Sequence, residues 1–440
     1  MERKIAWEKY SQEEMEKVFA FAENYRQFLS LGKTERECVK LAVAEAKAHG
    51  YEDLQDVIAS GKTLKAGDKV YSVCMGKTLA MFQIGEEPLE NGMNIVGAHI
   101  DSPRIDLKQN PLYEDTDMAM FDTHYYGGIK KYQWVALPLA LYGVVAKKDG
   151  TTVDIAIGDD PSDPVFGISD LLPHLAREQM TKTASKIIEG EDLNLLIGSI
   201  PVKDEEKDAV KKNVLALLKE KYDIEEDDFI SAEIEVVPAG AARDYGFDRS
   251  MIMGYGHDDR VCAYPSYEAM FELGSVKRTA VCLLVDKEEI GSTGATGMTS
   301  FWFENTAAEV INACGDYSDL KVRRCLNNSR MLSSDVSAGF DPNYPSVMEK
   351  NNSSFLGKGL TFNKYTGSGG KSGSNDANAE YVALVRRIMD DANVTWQTAE
   401  LGKVDAGGGG TIAYLMAKYG MDVIDSGVPV LSMHAPWEII

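Results

Sequence analysis

The sequence predicts an α/β protein whose mixed central sheet is flanked by helices and interrupted by an inserted, mainly antiparallel, β-rich domain. After about residue 250, helical stretches alternate with near-continuous apolar runs such as "AVCLLV" and "VPVLSM", a pattern typical of strands covered on both faces. Between about 103 and 246, paired strand-like runs and a charged helix replace that alternation. At 440 residues, the chain is also too long for one simple core.

The first segment supports the α/β part of this architecture. Residues 1 to about 60 carry apolar residues at three- and four-residue spacing, and Ser11 with Glu14 forms a capping-box pattern that opens a helix. Three strand-like runs follow, "KVYSVCMG", "TLAMFQIG" and "MNIVGAHI". We therefore assign residues 1–102 to the first part of the α/β domain.

The middle segment, 103–246, is assigned to the insertion. The stretch "WVALPLALYGVVAKKDGTTVDIAIGD" predicts two strands joined by a Lys-Asp-Gly turn, which indicates an antiparallel hairpin. "LLPHLAREQ" predicts a short helix, "DEEKDAVKKNVLALLKEKYDIEEDD" a charged amphipathic helix, and "FISAEIEVVPA" a half-buried strand. Residues 247–440 return to alternating helices and strands and form the second part of the α/β domain.

Charge and composition argue against several classes of function. The formal net charge is −23, whereas binding to nucleic acids or anionic membranes requires clustered Lys and Arg. The longest apolar stretch, residues 135–146, is too short to span a bilayer and contains Pro138. The six cysteines include no C-x-x-C pair, which favours a reducing cytoplasm over a disulfide framework. We expect a cytoplasmic protein that binds neither nucleic acid nor membranes.

Five short stretches concentrate His, Asp and Glu where strands are predicted to end. They are "GAHIDS" with His99 and Asp101, "GHDDRV" with Asp258 and Asp259, "LVDKEEIGS" with Glu288 and Glu289, "LSSDVS" with Asp335, and "LSMHAP" with His434. A hydrolytic site with two metals needs about five such ligands, one of them a carboxylate that bridges cations roughly 3.5–4 Å apart. A further carboxylate must stay off the metals to take a proton from the attacking water, and adjacent glutamates suit that division.

Taken singly, each of these residues has an ordinary structural interpretation. A lone histidine is more often structural than a ligand, and the Glu288-Glu289 pair alone is typical of a solvated turn. Asp258 and Asp259 could cap the helix that follows them. The joint occurrence of all five stretches favours the metal site.

The same stretches, in the same order, resemble the aspartyl aminopeptidase family of cocatalytic two-metal peptidases. The resemblance runs through "GAHIDSPR", "GHDDRVCAY", "DKEEIGSTGATG", "SSDVSAGFDPNYP" and "GVPVLSMHAPWE" and covers most of the chain. It implies a zinc-aminopeptidase-like catalytic domain with an inserted oligomerisation or lid domain, which 103–246 matches. It also implies a metallo-aminopeptidase that acts on peptide substrates, assembled as a homo-oligomer, a dodecamer built from dimers.

Carried over residue by residue, the resemblance implies the metal ligands. Asp258 would bridge two divalent ions, for which Zn²⁺ is expected and Co²⁺ or Mn²⁺ are alternatives. His99 and Asp335 would complete the ligands of one ion. Glu289 and His434 would complete those of the other.

The resemblance implies roles for three further residues. Glu288 would be the general base, and Asp101 would accept the second ring N–H of His99 and so fix its tautomer. In the family, a histidine of the inserted domain reaches the neighbouring subunit's site, and His174 in "ISDLLPHLAR" stands at that position. An ordinary histidine on a helix surface is an equal alternative for His174. Independently of the resemblance, the glycines of "DAGGGGTIAYL", Gly409 among them, indicate a loop whose backbone approaches the substrate closely before the next helix.

The chain departs from the family pattern at two places. Ala338 stands about where many members have a histidine after the metal-binding aspartate. Where the family supplies a lysine for an acidic substrate side chain, a register choice of one residue places either Asn363 or Lys364. Lys364 in the pocket would favour Asp or Glu at the substrate N-terminus, and Asn363 would not, so the preference is either acidic or broader.

Two other classes of function remain open from the sequence. A sibling two-metal hydrolase, such as a carboxypeptidase or deacetylase, shares the H-x-D and E-E elements. A non-catalytic, self-assembling shell protein is the second alternative, and the intact ligand set argues against it.

Overall fold

The computed structural model describes residues 4–315 and 317–440. Its helices are α1 (Gln12–Leu31), α2 (Glu35–Ala48), α3 (Leu54–Ser60), α4 (Ala209–Tyr222), α5 (His257–Phe271), α6 (Trp302–Ala313), α7 (Asp319–Asn327), α8 (Ala379–Asp391) and α9 (Ala413–Ala417). Its strands are β1 (Glu52–Asp53), β2 (Lys69–Cys74), β3 (Thr78–Gln83), β4 (Asn94–His99), β5 (Arg104–Asp115), β6 (Met118–Tyr126), β7 (Leu139–Ala146), β8 (Thr152–Ile157), β9 (Leu195–Gly198), β10 (Ala232–Pro238), β11 (Arg243–Tyr245), β12 (Met251–Gly254), β13 (Ala280–Val285), β14 (Arg330–Ser334), β15 (Ser337–Ala338), β16 (Leu360–Asn363), β17 (Trp396–Thr398), β18 (Asp422–Gly427), β19 (Pro429–Val430) and β20 (Glu438–Ile439).

The chain divides into two compact units. The first contains the chain up to Asp101 together with Arg243–Met433 and Glu438–Ile440. The second contains Ser102–Ala242 and the short segment His434–Trp437. No helix of the described residues is both long and apolar enough to cross a membrane.

The first unit is built on a nine-stranded mixed sheet in the order β1-β2-β3-β13-β4-β14-β18-β16-β17. Strands β13, β4, β14 and β18 are parallel neighbours, whereas β3 and β16 join them antiparallel. Strand β3 is buried along its whole length and β13 at all but its first residue, as expected for strands covered on both faces. The predicted α/β class is confirmed.

Helices of the first unit hold this sheet through a continuous apolar core. Buried side chains of α3, α6, α7 and α9 pack with those of the central strands, and Phe303 of α6 is among the largest of them. Truncation of a buried Phe to Ala costs roughly 3–5 kcal/mol, so this contact is a major contribution to stability. The predicted capping box is present at the start of α1. The Ser11 side chain accepts from the N–H of Glu14, and the Glu14 side chain accepts from the N–H of Ser11.

The second unit is an antiparallel sheet in the order β8-β7-β10-β5-β6-β9, with α4 packed on β5, β6 and β9. Every neighbouring pair in it is antiparallel, as predicted. The predicted hairpin is the β7–β8 pair, closed by a turn in which the N–H of Gly150 donates to the carbonyl of Lys147.

One element of the second unit differs from the prediction. "LLPHLAREQ" forms turns followed by a single 3₁₀ turn at Gln179–Thr181 instead of a helix. Its leucines, Leu171, Leu172 and Leu175, are exposed, and Ala176 is its one buried apolar residue, which is too little buried surface to stabilise a short helix. The Asp170 carboxylate accepts from the N–H of Leu171 and from the amide of Gln179, which holds the segment as a loop.

Candidate metal centre

The parallel strands of the first unit bring the predicted site residues to one edge of the sheet. Strand β4 ends at His99, which lies opposite Val285 at the end of β13. Glu288 and Glu289 follow β13 in a 3₁₀ turn, and Asp335 follows β14 directly. Because parallel strands deliver their carboxyl ends to the same edge, residues far apart in sequence meet there.

His99 is held between two aspartates. Its Nδ1 lies 2.9 Å from the backbone oxygen of Asp101, and its Nε2 lies 3.0 Å from Oδ1 of Asp258. The backbone oxygen can only accept, so Nδ1 donates and Nε2 faces the Asp258 carboxylate. Burial lowers the pKa of His99, but the hydrogen bonds and charges of Asp101 and Asp258 outweigh it and raise that pKa well above its usual value.

This arrangement calls for a cation at Nε2. A neutral imidazole nitrogen and a carboxylate oxygen are both acceptors, and they stand 3.0 Å apart in a buried place. Ligand atoms of His99, Asp258 and Asp335 all lie within 4.8 Å of one another, as do those of His99, Glu288 and Glu289. Imidazole nitrogen and carboxylate oxygen are both common ligands of Zn²⁺, so these residues fit the implied metal.

The surrounding acids strengthen that fit. Desolvation and the neighbouring charges of Asp259, Asp258 and Glu288 raise the pKa of Asp335 well above its usual value, although His99 opposes them. Burial likewise raises the pKa of Asp259, with the charge of Asp258 adding to it. Carboxylates crowded in this way ionise readily only when a cation joins them.

Asp101 has a contact that the sequence did not predict. Its Oδ1 accepts from the N–H of Glu288 at 3.1 Å and its Oδ2 from the N–H of Glu289 at 3.2 Å. The Asp101 carboxylate lies 3.3 Å from Nδ1 of His99, farther than the Asp101 backbone oxygen. The backbone oxygen of Asp101 therefore holds the His99 ring, and its carboxylate holds the turn that carries the two glutamates.

Sequence reasoning also missed Glu438. Its Oε2 accepts from the N–H of Asp258 at 3.0 Å, and the side chain is buried. Strand β20 brings it there, because Glu438 pairs with Gly254 of β12 just before α5. No local pattern marks Glu438 as a site residue, since this pairing joins segments that are far apart in the chain.

His257, beside Asp258, has a structural environment. Its Nε2 donates to the carbonyl of Ile252 at 3.2 Å, so its Nδ1 accepts from the hydroxyl of Tyr25 at 2.7 Å. Burial lowers the pKa of His257 to about 3. The ring is therefore neutral and fully engaged.

Two predicted site residues belong to the second unit. Nδ1 of His434 lies 3.0 Å from the carbonyl oxygen of Gly128, so that nitrogen carries the proton and the lone pair of a neutral ring is on Nε2. This tautomer is the one that metal-binding histidines commonly adopt. His174 is exposed and lies in a turn.

The remaining positions lie in the first unit. Asn363 is buried, and its Nδ2 donates to Oγ of Ser337 at 3.4 Å. The next residue, Lys364, points to solvent and pairs with Asp376 at 2.6 Å. Gly409 accepts through its carbonyl from the N–H of Gly367. Ala338, at the other departure from the family pattern, is part of strand β15.

Comparison with known proteins decides the family. The profile described as "Aminopeptidase I zinc metalloprotease (M18)" matches residues 28–440. The chain belongs to the M18 aminopeptidase family. A probable M18 family aminopeptidase 1 from Clostridium acetobutylicum is 65% identical over 439 residues, which covers 100% of this chain and 94% of that relative.

Solved M18 structures resemble the whole chain. The crystal structure of aminopeptidase I from Clostridium acetobutylicum superposes with a TM-score of 0.93 at 62% identity, covering 100% of this chain and 95% of that one. An M18 aminopeptidase from Thermotoga maritima gives a TM-score of 0.94 at 46% identity, with the same coverage. The resemblance to the aspartyl aminopeptidase family is confirmed, and the chain is a metal-dependent aminopeptidase. The carboxypeptidase, deacetylase and shell-protein alternatives find no support.

Proposed function

We propose that this M18 aminopeptidase hydrolyses the N-terminal peptide bond at a centre of two divalent metals. His99, Asp335 and the bridging Asp258 would bind one ion, and Asp258, Glu289 and His434 the other. The observation that carries the proposal is the convergence of His99, Asp258 and Asp335, whose ligand atoms lie within 4.8 Å of one another. We assign Zn²⁺ as the metal, in agreement with the zinc metalloprotease description of the family.

Divalent ions held there would polarise the scissile carbonyl and acidify a water molecule. Glu288 then takes the proton of the attacking water and returns it to the leaving nitrogen. Its position for this task is supported by Asp101, which accepts from the N–H of Glu288 and of Glu289. The same carboxylate lies close to His99 and keeps the imidazole oriented.

We propose a neutral or broad N-terminal preference over an acidic one. The buried side chain of Asn363 points toward Ser337, and Ser337 lies two residues after Asp335 in the sequence. Lys364 points to solvent and is neutralised by Asp376. An uncharged amide at the inward position offers no counter-charge to an Asp or Glu side chain. We place Gly409 and its neighbouring glycines beside the substrate backbone.

We propose that the protein is a cytoplasmic homo-oligomer, assembled as a dodecamer from dimers through the inserted domain. Exposed apolar side chains near His174, namely Leu172, Leu175 and Met180, favour such an interface in the second unit. We propose that His174 reaches the site of a neighbouring subunit. A dodecamer of yeast mApe1 has the same fold at 20% identity and a TM-score of 0.74. The six unbonded cysteines suit a reducing compartment.

A substrate panel tests the proposal. The purified protein, analysed for bound metal, is given aminoacyl substrates with neutral, basic and acidic N-termini, each with a free and a blocked α-amine. We expect two metals per chain, cleavage only of free N-termini, and better turnover of neutral than acidic residues. Cleavage of blocked peptides alone, or one metal per chain at full activity, would contradict it.

A further inference from the structure

Three neighbouring strands carry a buried polar row below the metal centre. Ser333 of β14 lies directly opposite Asp425 of β18, and Asp425 lies directly opposite Asn363 of β16. Residues paired in this way point to the same face of a sheet. All three side chains are at most 4% exposed. The row is two residues along the strands from His99 and Asp335, about 7 Å at the strand rise.

Asp425, the middle residue of this row, accepts a hydrogen bond from a side chain outside the row. Oγ1 of Thr411 donates to Oδ1 of Asp425 at 2.6 Å. Oδ2 of Asp425, Oγ of Ser333 and Oδ1 of Asn363 find no hydrogen-bond partner within the described part of the chain. Buried polar atoms of this kind are rare, and each requires a physical reason.

An uncharged Asp425 fits this environment. A buried carboxyl group that accepts one hydrogen bond from a side chain is costly to ionise, so its neutral form is favoured. Burial raises the pKa of Asp425 to about 7, against the lowering effect of the Thr411 hydrogen bond. The row is therefore consistent with a carboxylic acid that remains neutral below neutral pH.

The side chains that the helices packed on β18 present do not alter this conclusion. Helices α8 and α9 pack on β18 and present Tyr381, whose hydroxyl donates to Met331, and Tyr414. Burial and the Thr411 bond, and none of these groups, set the pKa of Asp425.

Thr411 ends the segment that we call the glycine loop, residues 406–411. Its other members are Ala406 and four glycines, so Thr411 is the only residue of the loop whose side chain can hydrogen-bond. The loop packs tightly by its backbone: a Cβ on Gly408, whose φ is +126°, would meet the carbonyl oxygen of Gly367 at 2.1 Å. A segment of such low side-chain content needs an outside anchor to hold one conformation.

We propose that Asp425, as an uncharged carboxyl acting through Thr411, is a positioning residue that holds the glycine loop in place for the substrate. This inference rests on the proposed function for its effect on substrate binding, since Gly409 is placed there beside the substrate. The anchoring itself is a property of the fold and is measured without activity.

Hydrogen–deuterium exchange of the metal-loaded protein tests the anchoring. We expect Thr411→Val to increase exchange in residues 406–411 about tenfold, because it removes one buried hydrogen bond. Thr411→Ser keeps the hydroxyl and should retain protection. The Michaelis constant for a neutral aminoacyl substrate should rise by a similar factor in Thr411→Val, with kcat and metal content close to wild type. Asp405→Asn, which changes an exposed acid beside the loop, is the matched control.

Asp425→Asn tests the charge. Burial raises the pKa of Asp425 to about 7 in the closed loop, and opening of the loop lowers it by letting water reach the carboxyl group. Loop protection in the wild type should therefore fall as the pH rises toward about 7, relative to Asp425→Asn, and level off above. Equal exchange in Thr411→Val and Thr411→Ser, or the same pH dependence in Asp425→Asn and wild type, overturns the proposal. If the exchange results hold in a protein that cleaves no peptide, the proposed function fails and the anchoring stands.

Discussion

Replacement of Asp101 by Asn tests how the metal centre is held together. The two oxygens of the Asp101 carboxylate accept from the N–H groups of Glu288 and Glu289, and Oδ1 lies 3.3 Å from Nδ1 of His99. An amide keeps the size of the side chain but replaces one oxygen with an NH₂ group, which cannot accept. One backbone N–H of the glutamate turn must then lose its partner.

The magnitude follows from this lost contact. A hydrogen bond to a charged group contributes roughly 1.5–3 kcal/mol, and each 1.4 kcal/mol is about a factor of ten in affinity. We therefore expect Asp101→Asn to weaken metal affinity about 10–100-fold, the range found for residues that orient metal-binding histidines. At saturating metal the site should fill, but kcat should remain low because the turn that carries Glu288 is no longer fixed.

Metal titration by calorimetry, after removal of bound ions with a chelator, measures the first effect. Steady-state kinetics at saturating metal measures the second. Asp115→Asn removes an exposed acid of β5 and serves as the control, with wild-type affinity expected. Unchanged affinity in Asp101→Asn would show that its carboxylate does not orient the site. Failure to bind metal at any concentration would show that Asp101 is itself a ligand.

Four other substitutions test the remaining roles. Glu288→Gln should abolish turnover and leave metal content near normal, as measured by elemental analysis, and loss of metal would make Glu288 a ligand. His434→Ala should lose one of two ions together with activity, and retention of both ions would remove it from the ligand set. Asn363→Lys should shift the aminoacyl panel toward acidic N-termini, whereas Lys364→Ala should leave the preference unchanged; the reverse pattern would assign the pocket to Lys364.

The sequence was most informative where side chains follow predicted strands. His99 ends an apolar run and Asp335 follows the end of a strand, and parallel strands of a covered sheet end at one edge. The convergence of these residues could therefore be anticipated without coordinates. Asn363 and Lys364 show the limit of this reasoning, because adjacent strand residues face opposite sides and a one-residue register error exchanges them.

Contacts made by the backbone could not be anticipated. Asp101 was expected to serve the His99 ring alone, but its oxygens also accept from two N–H groups of a distant turn. Glu438 binds the N–H of Asp258 from 180 positions away in sequence. No residue pattern encodes which backbone N–H a carboxylate will meet. The predicted helix around His174 is absent because its leucines are exposed and Ala176 is its one buried apolar residue.

The acids of the metal centre divide into two physical classes, and the division links metal binding to pH. Asp101 and Glu438 accept from backbone N–H groups, which stabilise a carboxylate anion without any cation. Asp335 and Asp259 are crowded by other acids, and their pKa values are raised. At the proposed centre, a metal ion would therefore compete with a proton for Asp335 and for Nε2 of His99, whose pKa is also raised. Metal binding would displace these protons, so we expect the affinity for the metal to rise with pH until both groups are deprotonated without its help.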